Sequence, residues 1–214
     1  MNGDLNSKRI YIVRHGETEY NRQGMVQGRG IDAPLNATGK AQAEAFYEAY
    51  RDHPFDKIYV SKLKRTAESV SKFIDKGIPV EKLSGLDEIS WGTQEGVKFS
   101  EKAKTEYEDA ISDWKKGNLE INVAGGESPI QVMERQKEAF DHILNQPAEK
   151  EILICMHGRA IRILVSWLLN YDLRYMDEFP HANLGLYLLT YNGHFFQVLK
   201  RNDTSHLKNL RELV

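Results

Sequence analysis

Five short runs of apolar and β-branched residues recur along the chain and predict β-strands. The first three runs are unbroken, which is typical of strands that helices cover on both faces of a sheet. The last two flank Asn192-Gly193, a dipeptide that tolerates positive φ at both turn positions and therefore predicts an antiparallel hairpin. The predicted strands are residues 9–13, 56–61, 151–156, 184–191 and 194–199.

Apolar positions at helical spacing fill the segments between the predicted strands. The tetrapeptide Ser128-Pro129-Ile130-Gln131 predicts a helix start, because a serine N-cap, a proline at the first helical position and a glutamine that reaches back form a capping box. Alternating strands and helices predict an α/β fold, and we expect a three-layer α/β/α sandwich around a mixed, mostly parallel sheet. The predicted helices are residues 38–50, 63–74, 99–114, 129–144 and 160–169.

The sequence predicts a single domain over residues 1–214, because no internal repeat, low-complexity block or linker rich in proline, glycine and serine interrupts it. Residues 85–97 are expected to form a loop. The tail at 203–214 is expected to form a short peripheral helix or to fray. Four side chains of the predicted helix at 99–114 are expected to pack into the core: Phe99, Tyr107, Ile111 and Trp114.

The composition argues against several classes of partner. With 41% hydrophobic residues, 28% charged residues and a net charge of −2, the chain lacks the basic field that attracts nucleic acid or an anionic membrane. No apolar run reaches the length of a transmembrane helix, and residues 1–9 lack the apolar stretch of a secretion signal. The single cysteine, Cys155, cannot form an intrachain disulfide and is typical of a reducing compartment, so we predict a cytoplasmic protein.

Cationic and imidazole side chains follow three of the predicted strands. Ligands of open α/β sheets gather at the carboxyl ends of strands, so these groups are expected to share one edge. Two guanidinium groups and two imidazoles would suit a tetrahedral dianion such as phosphate, because arginine offers fixed pairs of donors to phosphate oxygens. The groups are Arg14 and His15 after the first strand, Arg65 after the second and His157 after the third.

Each of these residues taken alone has a simpler interpretation. A lone histidine at a strand end is usually a polar loop residue, and Arg65 alone is typical of a solvated cation on a helix face. Recurrence of the arrangement at three strand ends leaves a phosphate site and an ordinary polar edge as comparable hypotheses.

Motifs for other chemistries do not fit the sequence. Residues 28–33 match the loose pattern G-x-G-x-x-A of dinucleotide-binding loops, but no predicted strand precedes them and Pro34 closes them. The seven histidines contain no H-x-H, H-x-x-x-H or H-E-x-x-H pair, so no metal site is predicted. Cys155 and Arg162 are separated by six residues rather than by the five of a cysteine phosphatase, which favours a core cysteine. The G-x-S-x-G pattern of serine hydrolases is absent.

Seven motifs, taken together and in order, resemble the histidine phosphatase superfamily, which includes the phosphoglycerate mutases. The resemblance covers the chain from about residue 9 to residue 199 and implies a phosphoglycerate mutase-like fold. The motifs are RHGETEYN (14–21), QG (27–28), PLNATGKAQA (34–43), SKLKRT (61–66), LDEISWGTQEG (86–96), GGES (125–128) and HGRAIR (157–162).

The resemblance implies a role for each residue that matches a family motif. His15 matches the nucleophile that becomes phosphorylated, and Glu88, rather than its neighbour Asp87, matches the proton donor. The transferred phosphoryl group would be held by Arg14, Arg65 and His157. Further substrate contacts are implied for Thr18, Asn21, Gln27, Gly28 and Gly158. No metal ion or other cofactor is implied.

The implied chemistry sets two requirements. His15 must keep its attacking nitrogen unprotonated, which a hydrogen bond from its other ring nitrogen to a carbonyl would ensure. Glu88 must carry a proton when the ester bond breaks, which requires burial or the negative charge of the substrate. The predicted activity is metal-independent hydrolysis of a small phosphomonoester through a phosphohistidine intermediate.

Two other functions stay open at this stage. A phosphoglycerate mutase must retain a bisphosphorylated intermediate. Cofactor-dependent mutases of the family carry an insertion with paired arginines and prolines, whereas residues 97–127 here contain neither residue type, which favours hydrolysis. A catalytically inactive phosphate-binding module would need the arginines but neither His15 nor Glu88.

Three further arginines have no assigned role. Arg22 and Arg29 lie in the loop after the first motif, where solvated cations are the favoured interpretation. Arg159 follows His157-Gly158 at a position where the family commonly has a smaller or less charged residue. It is expected either to bind a second anionic group or to point into solvent. The sequence predicts neither the physiological substrate nor the oligomeric state.

Overall fold

The computed structural model describes residues 7–97, 101–123 and 125–211. Six strands of this part of the chain form one sheet. They are β1 Lys8–Arg14, β2 Lys57–Val60, β3 Val80–Lys82, β4 Glu151–Met156, β5 Leu186–Tyr191 and β6 Phe196–Asp203. Their order across the sheet is β3-β2-β4-β1-β5-β6.

Strand direction brings the predicted functional segments to one edge of the sheet. β1 pairs in parallel with β4, and β2 pairs in parallel with both β4 and β3. β5 is antiparallel to β1 and to β6, so the sheet is mixed, as predicted. Arg14 lies in register with Met156, and Val60 lies in register with Cys155. The segments that follow β1, β2 and β4 therefore begin side by side.

Helices occupy the segments between the strands. α6 begins with both hydrogen bonds of the predicted capping box: the Gln131 backbone N–H donates to the Ser128 hydroxyl, and the Ser128 backbone N–H donates to the Gln131 side chain. Every predicted helix has a counterpart. The helices are α1 Glu19–Arg22, α2 Ala37–Tyr50, α3 Lys64–Ser69, α4 Ser71–Asp75, α5 Glu101–Lys116, α6 Pro129–Leu144, α7 Gly158–Leu168 and α8 Lys208–Arg211.

Buried side chains on the two faces of the sheet pack against different helices. Ile12 of β1 and Ile154 of β4 contact one layer, which α6 and α7 form. The alternate residues Val13 and Cys155 contact the other layer, which includes Phe46 of α2 and aromatic and aliphatic residues of α3 and α4. Period-two alternation of the strand side chains therefore builds the predicted three-layer α/β/α sandwich.

A third apolar cluster lies outside the two layers that flank the sheet. It joins Ile89 and Trp91, which follow Glu88, to Trp114 of α5 and to residues of α6 and α7. This cluster fixes the segment at 85–97, which the sequence predicts as a loop. The structure shows two short 3₁₀ turns there, Ser84–Leu86 and Gly92–Gln94.

Some predicted bounds differ from the structure for local reasons. The single helix predicted at 63–74 is two helices, because the backbone at Val70 (φ −123°) leaves the helical region between α3 and α4. β3 was not predicted, because its three residues are half-buried or exposed and carry no apolar run. Cys155 is fully buried in β4, so the predicted core cysteine is confirmed.

The C-terminal hairpin is present, with a longer connection than the two-residue turn expected. Residues 192–195 join β5 to β6, Gly193 has φ 94°, and the Asn192 side chain accepts hydrogen bonds from His194 and Phe195 N–H. After β6 a 3₁₀ turn and α8 follow, so the predicted tail helix begins later than residue 203. Residues 212–214 and Phe99 lie outside the described residues. None of the helices in the described ranges is long and apolar enough to span a bilayer.

Candidate active site

The carboxyl end of β1 positions His15. Its backbone N–H continues the sheet ladder to Met156 O at 3.0 Å, and its side chain is 3% exposed. The ring Nδ1 lies 2.7 Å from Gly16 O, so Nδ1 carries a proton and donates it to that carbonyl. Burial, with the positive charges of Arg65 and Arg14, holds the pKa of His15 well below its usual range. The ring is therefore neutral, with its lone pair on Nε2, as the sequence-based requirement demanded.

Arg14 lies beside His15 and is fixed by a residue that the sequence analysis did not identify. Its Nη1 donates to the His181 carbonyl at 2.9 Å and lies 3.2 Å from His181 Nδ1. Burial and the charge of Arg14 lower the pKa of His181 to about 3, so this ring is a neutral acceptor. The buried Nε of Arg14 has no hydrogen-bond partner among the described residues. An unpaired buried donor of this kind is expected where a ligand anion binds.

Glu88 is 6% exposed and its carboxylate is held by the backbone. Oε1 accepts hydrogen bonds from Ala160 N–H at 2.9 Å and from Ile89 N–H at 3.0 Å, and Oε2 accepts from Arg159 N–H at 3.2 Å. Two of these donors belong to the first turn of α7, whose N-terminus favours negative charge. These contacts fix the Glu88 carboxyl group in the cavity wall.

Asp87 makes different contacts from its neighbour Glu88. Its Oδ1 accepts from Lys62 N–H at 2.8 Å, and its Oδ2 lies 3.4 Å from Arg29. These contacts tie the Glu88 segment to the segment after β2. The placement supports the choice of Glu88 over Asp87 for the cavity.

Arg135 of α6 anchors the same segment from its other side. Its guanidinium donates to the carbonyl oxygens of Gly85 and Asp87, both at 2.9 Å, and of Glu88 at 3.0 Å. A bidentate pair with Glu127 holds Arg135 itself. Sequence analysis missed this residue, because an arginine inside a helix gives no signal that distinguishes it from a solvated cation.

Arg65 and His157 are both fully buried and contact each other. Arg65 Nε donates to His157 Nδ1 at 3.2 Å, and Arg65 Nη1 donates to Ile31 O at 2.6 Å. His157 Nε2 then carries the ring proton and donates to Ser61 Oγ at 2.8 Å. The pKa of His157 lies well below its usual range, because the ring is buried and Arg65 is close. Direct phosphate contact from this pair stays a prediction.

A cavity of about 160 Å³ lies over the ends of β1 and β4. Its wall contains three of the five predicted catalytic residues and three of the five predicted substrate-binding residues, whereas Arg65 and His157 lie behind the wall. The lining residues are Arg14, His15, Asn21, Met25, Val26, Gln27, Glu88, Trp91, Tyr107, Gly158, Arg159 and His181.

The predicted substrate-binding residues divide between the wall and its support. Thr18 is fully buried and caps α1, and its hydroxyl donates to Gln27 Oε1 at 2.8 Å. Gln27 Nε2 has no partner in the described ranges, so Thr18 turns an amide donor toward the cavity. The carbonyl of Gly28 accepts from Arg65 at 3.3 Å. A side chain at Gly158 would contact the His181 ring at 3.0 Å.

Asn183 is a second residue that sequence analysis missed. Its amide donates to the His15 carbonyl at 2.9 Å and lies 3.4 Å from Asn21 Oδ1, so it joins the segment before β5 to the start of the site. Asn183 and His181 lie just before β5, in a segment that carries no recognisable motif.

Gly16 is explained by packing rather than by a ligand. Its N–H donates to Ser69 Oγ at 2.9 Å, and a Cβ at this position would lie 2.6 Å from the Gly39 carbonyl oxygen. Glycine at this position therefore lets the segment after His15 lie against α2.

Two of the three unassigned arginines are paired at the surface. Arg22 pairs with Glu19 in α1, as expected for a solvated cation. Arg29 is partly exposed and lies between Asp87 and Glu127. Arg159 is different, because it is 8% exposed and lies in the cavity wall rather than in solvent.

Tyr107 and Trp91 complete the wall around Arg159. The tyrosine, which was expected in the core, packs against the third cluster and also lines the cavity, and its hydroxyl lies 3.4 Å from Arg159 Nη2. The Arg159 guanidinium carbon lies 5.8 Å from the Trp91 ring centroid and 5.6 Å from that of Trp114, within the range of cation–π contacts. Trp114 is buried in the third cluster, as predicted.

Comparisons with known proteins agree with the fold and show the family. A sequence model of the histidine phosphatase superfamily (branch 1) matches residues 10–204. The uncharacterized phosphatase PhoE of Bacillus subtilis is 32% identical over 160 residues, which cover 73% of this chain and 75% of the relative. The probable phosphoglycerate mutase GpmB of Yersinia enterocolitica is 31% identical over 180 residues, covering 84% of this chain and 80% of that protein. The solved structure of YhfR from Bacillus stearothermophilus superposes with a TM-score of 0.83 at 25% identity, covering 94% of this chain and all of the other.

Proposed function

This chain belongs to the histidine phosphatase superfamily, and we propose that it hydrolyses small phosphomonoesters through a phosphohistidine on His15. The observation that carries the proposal is the placement of a neutral His15 ring, with Nδ1 fixed on Gly16 O, in the same cavity wall as Arg14 and Glu88. A site that only bound phosphate would need the cation but neither the nucleophile nor the acid.

In the first step the lone pair of His15 Nε2 attacks phosphorus, and the bond between phosphorus and the ester oxygen breaks. The leaving oxygen takes a proton from Glu88. The Gly16 carbonyl stabilises the positive charge that develops on the imidazole, because it already accepts the Nδ1 proton. In the second step Glu88 takes a proton from water, the water oxygen attacks phosphorus, and the bond to Nε2 breaks. These steps, as written, need no metal ion or cofactor.

Glu88 must carry a proton when the ester bond breaks. In the free protein its carboxyl group accepts three backbone N–H hydrogen bonds, which hold it in the cavity wall. The second step returns a proton from water to Glu88. The acid is therefore protonated again for the next turnover, and the proton balance closes.

Donors in the cavity wall and the positive charge of buried Arg65 would both stabilise the negative charge of the phosphoryl group. Arg14 Nε and Gln27 Nε2 are buried donors in the wall that have no hydrogen-bond partner within residues 7–97, 101–123 and 125–211. Arg65 adds positive charge from behind His157, since burial lowers its pKa only to about 10 and it stays protonated at neutral pH. Electrostatic stabilisation of this kind supplies most of the catalysis in phosphoryl transfer. A cytoplasmic location is part of the same proposal and rests on the single, buried cysteine.

Trapping the phosphoenzyme tests the proposal. We expect wild-type protein quenched during turnover of a ³²P-labelled phosphomonoester to carry a label that acid removes and base does not. His15→Ala should carry no label and should not hydrolyse p-nitrophenyl phosphate, while circular dichroism shows a folded protein. The matched control is His194→Ala, which changes an exposed histidine of the hairpin and should leave label and turnover intact.

The alternatives give different results in the same assay. A phosphoglycerate mutase would interconvert 2- and 3-phosphoglycerate without releasing phosphate. An inactive module would bind inorganic phosphate but give neither label nor product. Substantial turnover by His15→Ala would remove this residue from the nucleophile role.

A further inference from the structure

Two arginines on α7 share one carboxylate beside the cavity. Nη1 of Arg159 contacts Asp177 Oδ1 at 2.6 Å, and Nη1 of Arg162 contacts the same oxygen. The buried Nε of Arg162 has no partner among the described residues. This largely buried cluster therefore holds two positive charges and one negative charge. Burial of an unbalanced charge costs free energy, and a bound anionic ligand would balance it.

Arg159 is held rigidly with its guanidinium in the cavity wall. Its backbone N–H is fixed on Glu88, and its side chain lies between Trp91, Trp114 and Tyr107. The contacts to Asp177 and Tyr107 use two of the five N–H donors of a guanidinium. Solvation does not explain this side chain, because it is 8% exposed.

Arg159 lines the same cavity as the proposed phosphoryl-accepting His15. The volume of this cavity is about 160 Å³. Arg14, His15 and Glu88 line it together with Trp91, Tyr107 and Arg159. One small substrate can therefore contact both His15 and Arg159.

We propose that Arg159, flanked by Trp91 and Tyr107, binds a second anionic group of the substrate, a carboxylate or a second phosphate. The inference rests on the proposed function and narrows its substrates to small phosphomonoesters that carry another acidic group. Asp177 holds the Arg159 guanidinium in place, and Arg162 adds a second positive charge beside it. A guanidinium suits both anions, because its paired donors match two oxygens of either one.

Matched esters test this subsite. 3-Phosphoglycerate and glycerol 3-phosphate differ by one carboxylate, and propane-1,3-diol bisphosphate supplies the second phosphate instead. We expect wild-type kcat/KM for at least one anionic ester to exceed that for glycerol 3-phosphate by about 10- to 100-fold, as is typical of a charge-assisted hydrogen bond. Arg159→Gln, which keeps the N–H that holds Glu88, should reduce this ratio to near one. Arg174→Gln, an exposed arginine paired with Asp172, is the matched control and should keep the ratio.

Binding measurements separate this proposal from the proposed function. Calorimetric titration of His15→Ala with the three esters reports affinity without turnover, so the preference for an anionic ester should persist there. A preference for 3-phosphoglycerate identifies the anion as a carboxylate, and a preference for the bisphosphate identifies it as a phosphate. Equal affinity for all three esters, or an Arg159→Gln protein that melts normally and keeps the wild-type ratio, would overturn the subsite. If the wild-type protein hydrolysed none of the three esters while His15→Ala kept the binding preference, the phosphatase mechanism would be refuted and the subsite would stand.

Discussion

Two neighbouring parallel strands, β1 and β4, are followed directly by the same dipeptide, a histidine and then a glycine. The two imidazoles lie 5.1 Å apart between ring centroids, and both are buried and neutral. Their hydrogen bonds differ. His15 uses Nδ1 on the next carbonyl, which leaves the Nε2 lone pair for chemistry, whereas His157 engages both ring nitrogens, with Arg65 and with Ser61.

The glycines after the two histidines also differ, in the groups that pack against them. Gly16 lets the chain lie against the backbone of Gly39, and its conformation serves packing. Gly158 starts α7 directly behind β4 and makes room for the His181 ring and Arg14 Nε. The next two N–H groups of α7 then hold the Glu88 carboxylate.

The comparison shows that one motif can present a nucleophile or support a site. In the proposed mechanism the end of β1 supplies the reacting atom. The residues after β4 contact Arg65 through His157 and Glu88 through the first turn of a helix. Identical sequence letters do not distinguish these arrangements, since the partners of His157, Arg65 and Ser61, lie far from it in the sequence. The following substitutions break one strand end at a time.

The largest expected effect comes from the acid that the end of β4 holds. Glu88→Gln should lower kcat/KM for alkyl phosphates by about 10²- to 10⁴-fold, which is typical of losing general acid catalysis. p-Nitrophenyl phosphate should suffer much less, because its leaving group departs without a proton. The measurement is the ratio of the two kcat/KM values.

The neighbouring acid provides the control for this prediction. Asp87→Asn keeps an acceptor for Lys62 N–H, so any loss should be small and equal for both ester classes. Equal slowing of alkyl and aryl esters by Glu88→Gln would argue against its role as the acid. If Asp87→Asn instead lowered kcat/KM much more for alkyl phosphates than for p-nitrophenyl phosphate, Asp87 would be the acid.

The second prediction tests whether His157 acts by holding Arg65. Glutamine places its amide near the position of Nε2, and asparagine places its amide near that of Nδ1, the atom that Arg65 contacts. We therefore expect His157→Gln to lower kcat about 100-fold, the scale of an ångström's misplacement, and His157→Asn to retain most of the activity. Steady-state kinetics and thermal melts of both variants give the readout. If the two variants lose activity equally, His157 does not work through Arg65.

Much of the fold and part of the site could be predicted from the sequence, because the relevant signals are local. Unbroken apolar runs gave β1 and β4, the capping box gave the start of α6, and parallel strand order placed Arg14 and His15 beside His157. β3 has no such run and was missed.

The residues that sequence analysis missed act through long-range contacts. Arg135 reaches the Glu88 segment from a position 47 residues along the chain, and His181 reaches Arg14 across 167 residues. Neither lies in a pattern that marks its partner. The sequence also could not show that Thr18 donates to Gln27 or that Tyr107 lines the cavity as well as packing in the third cluster, because both depend on where α1 and α5 pack in the fold.

The last prediction separates the two glycines by stability. In Gly16→Ala the new Cβ would lie 2.6 Å from a backbone oxygen of Gly39, which cannot move without shifting α2, so the free energy of unfolding should fall by about 1–3 kcal/mol. In Gly158→Ala the nearest atom, at 3.0 Å, belongs to the His181 side chain, and alanine suits the first turn of a helix, so the loss should stay below about 1 kcal/mol. Urea unfolding at constant m-value measures both. Because His181 also holds Arg14, Gly158→Ala should still raise KM for p-nitrophenyl phosphate. If Gly158→Ala proved the more destabilising change, the β4 end would be constrained by backbone packing as the β1 end is, and the distinction between the two strand ends would rest on the imidazoles alone.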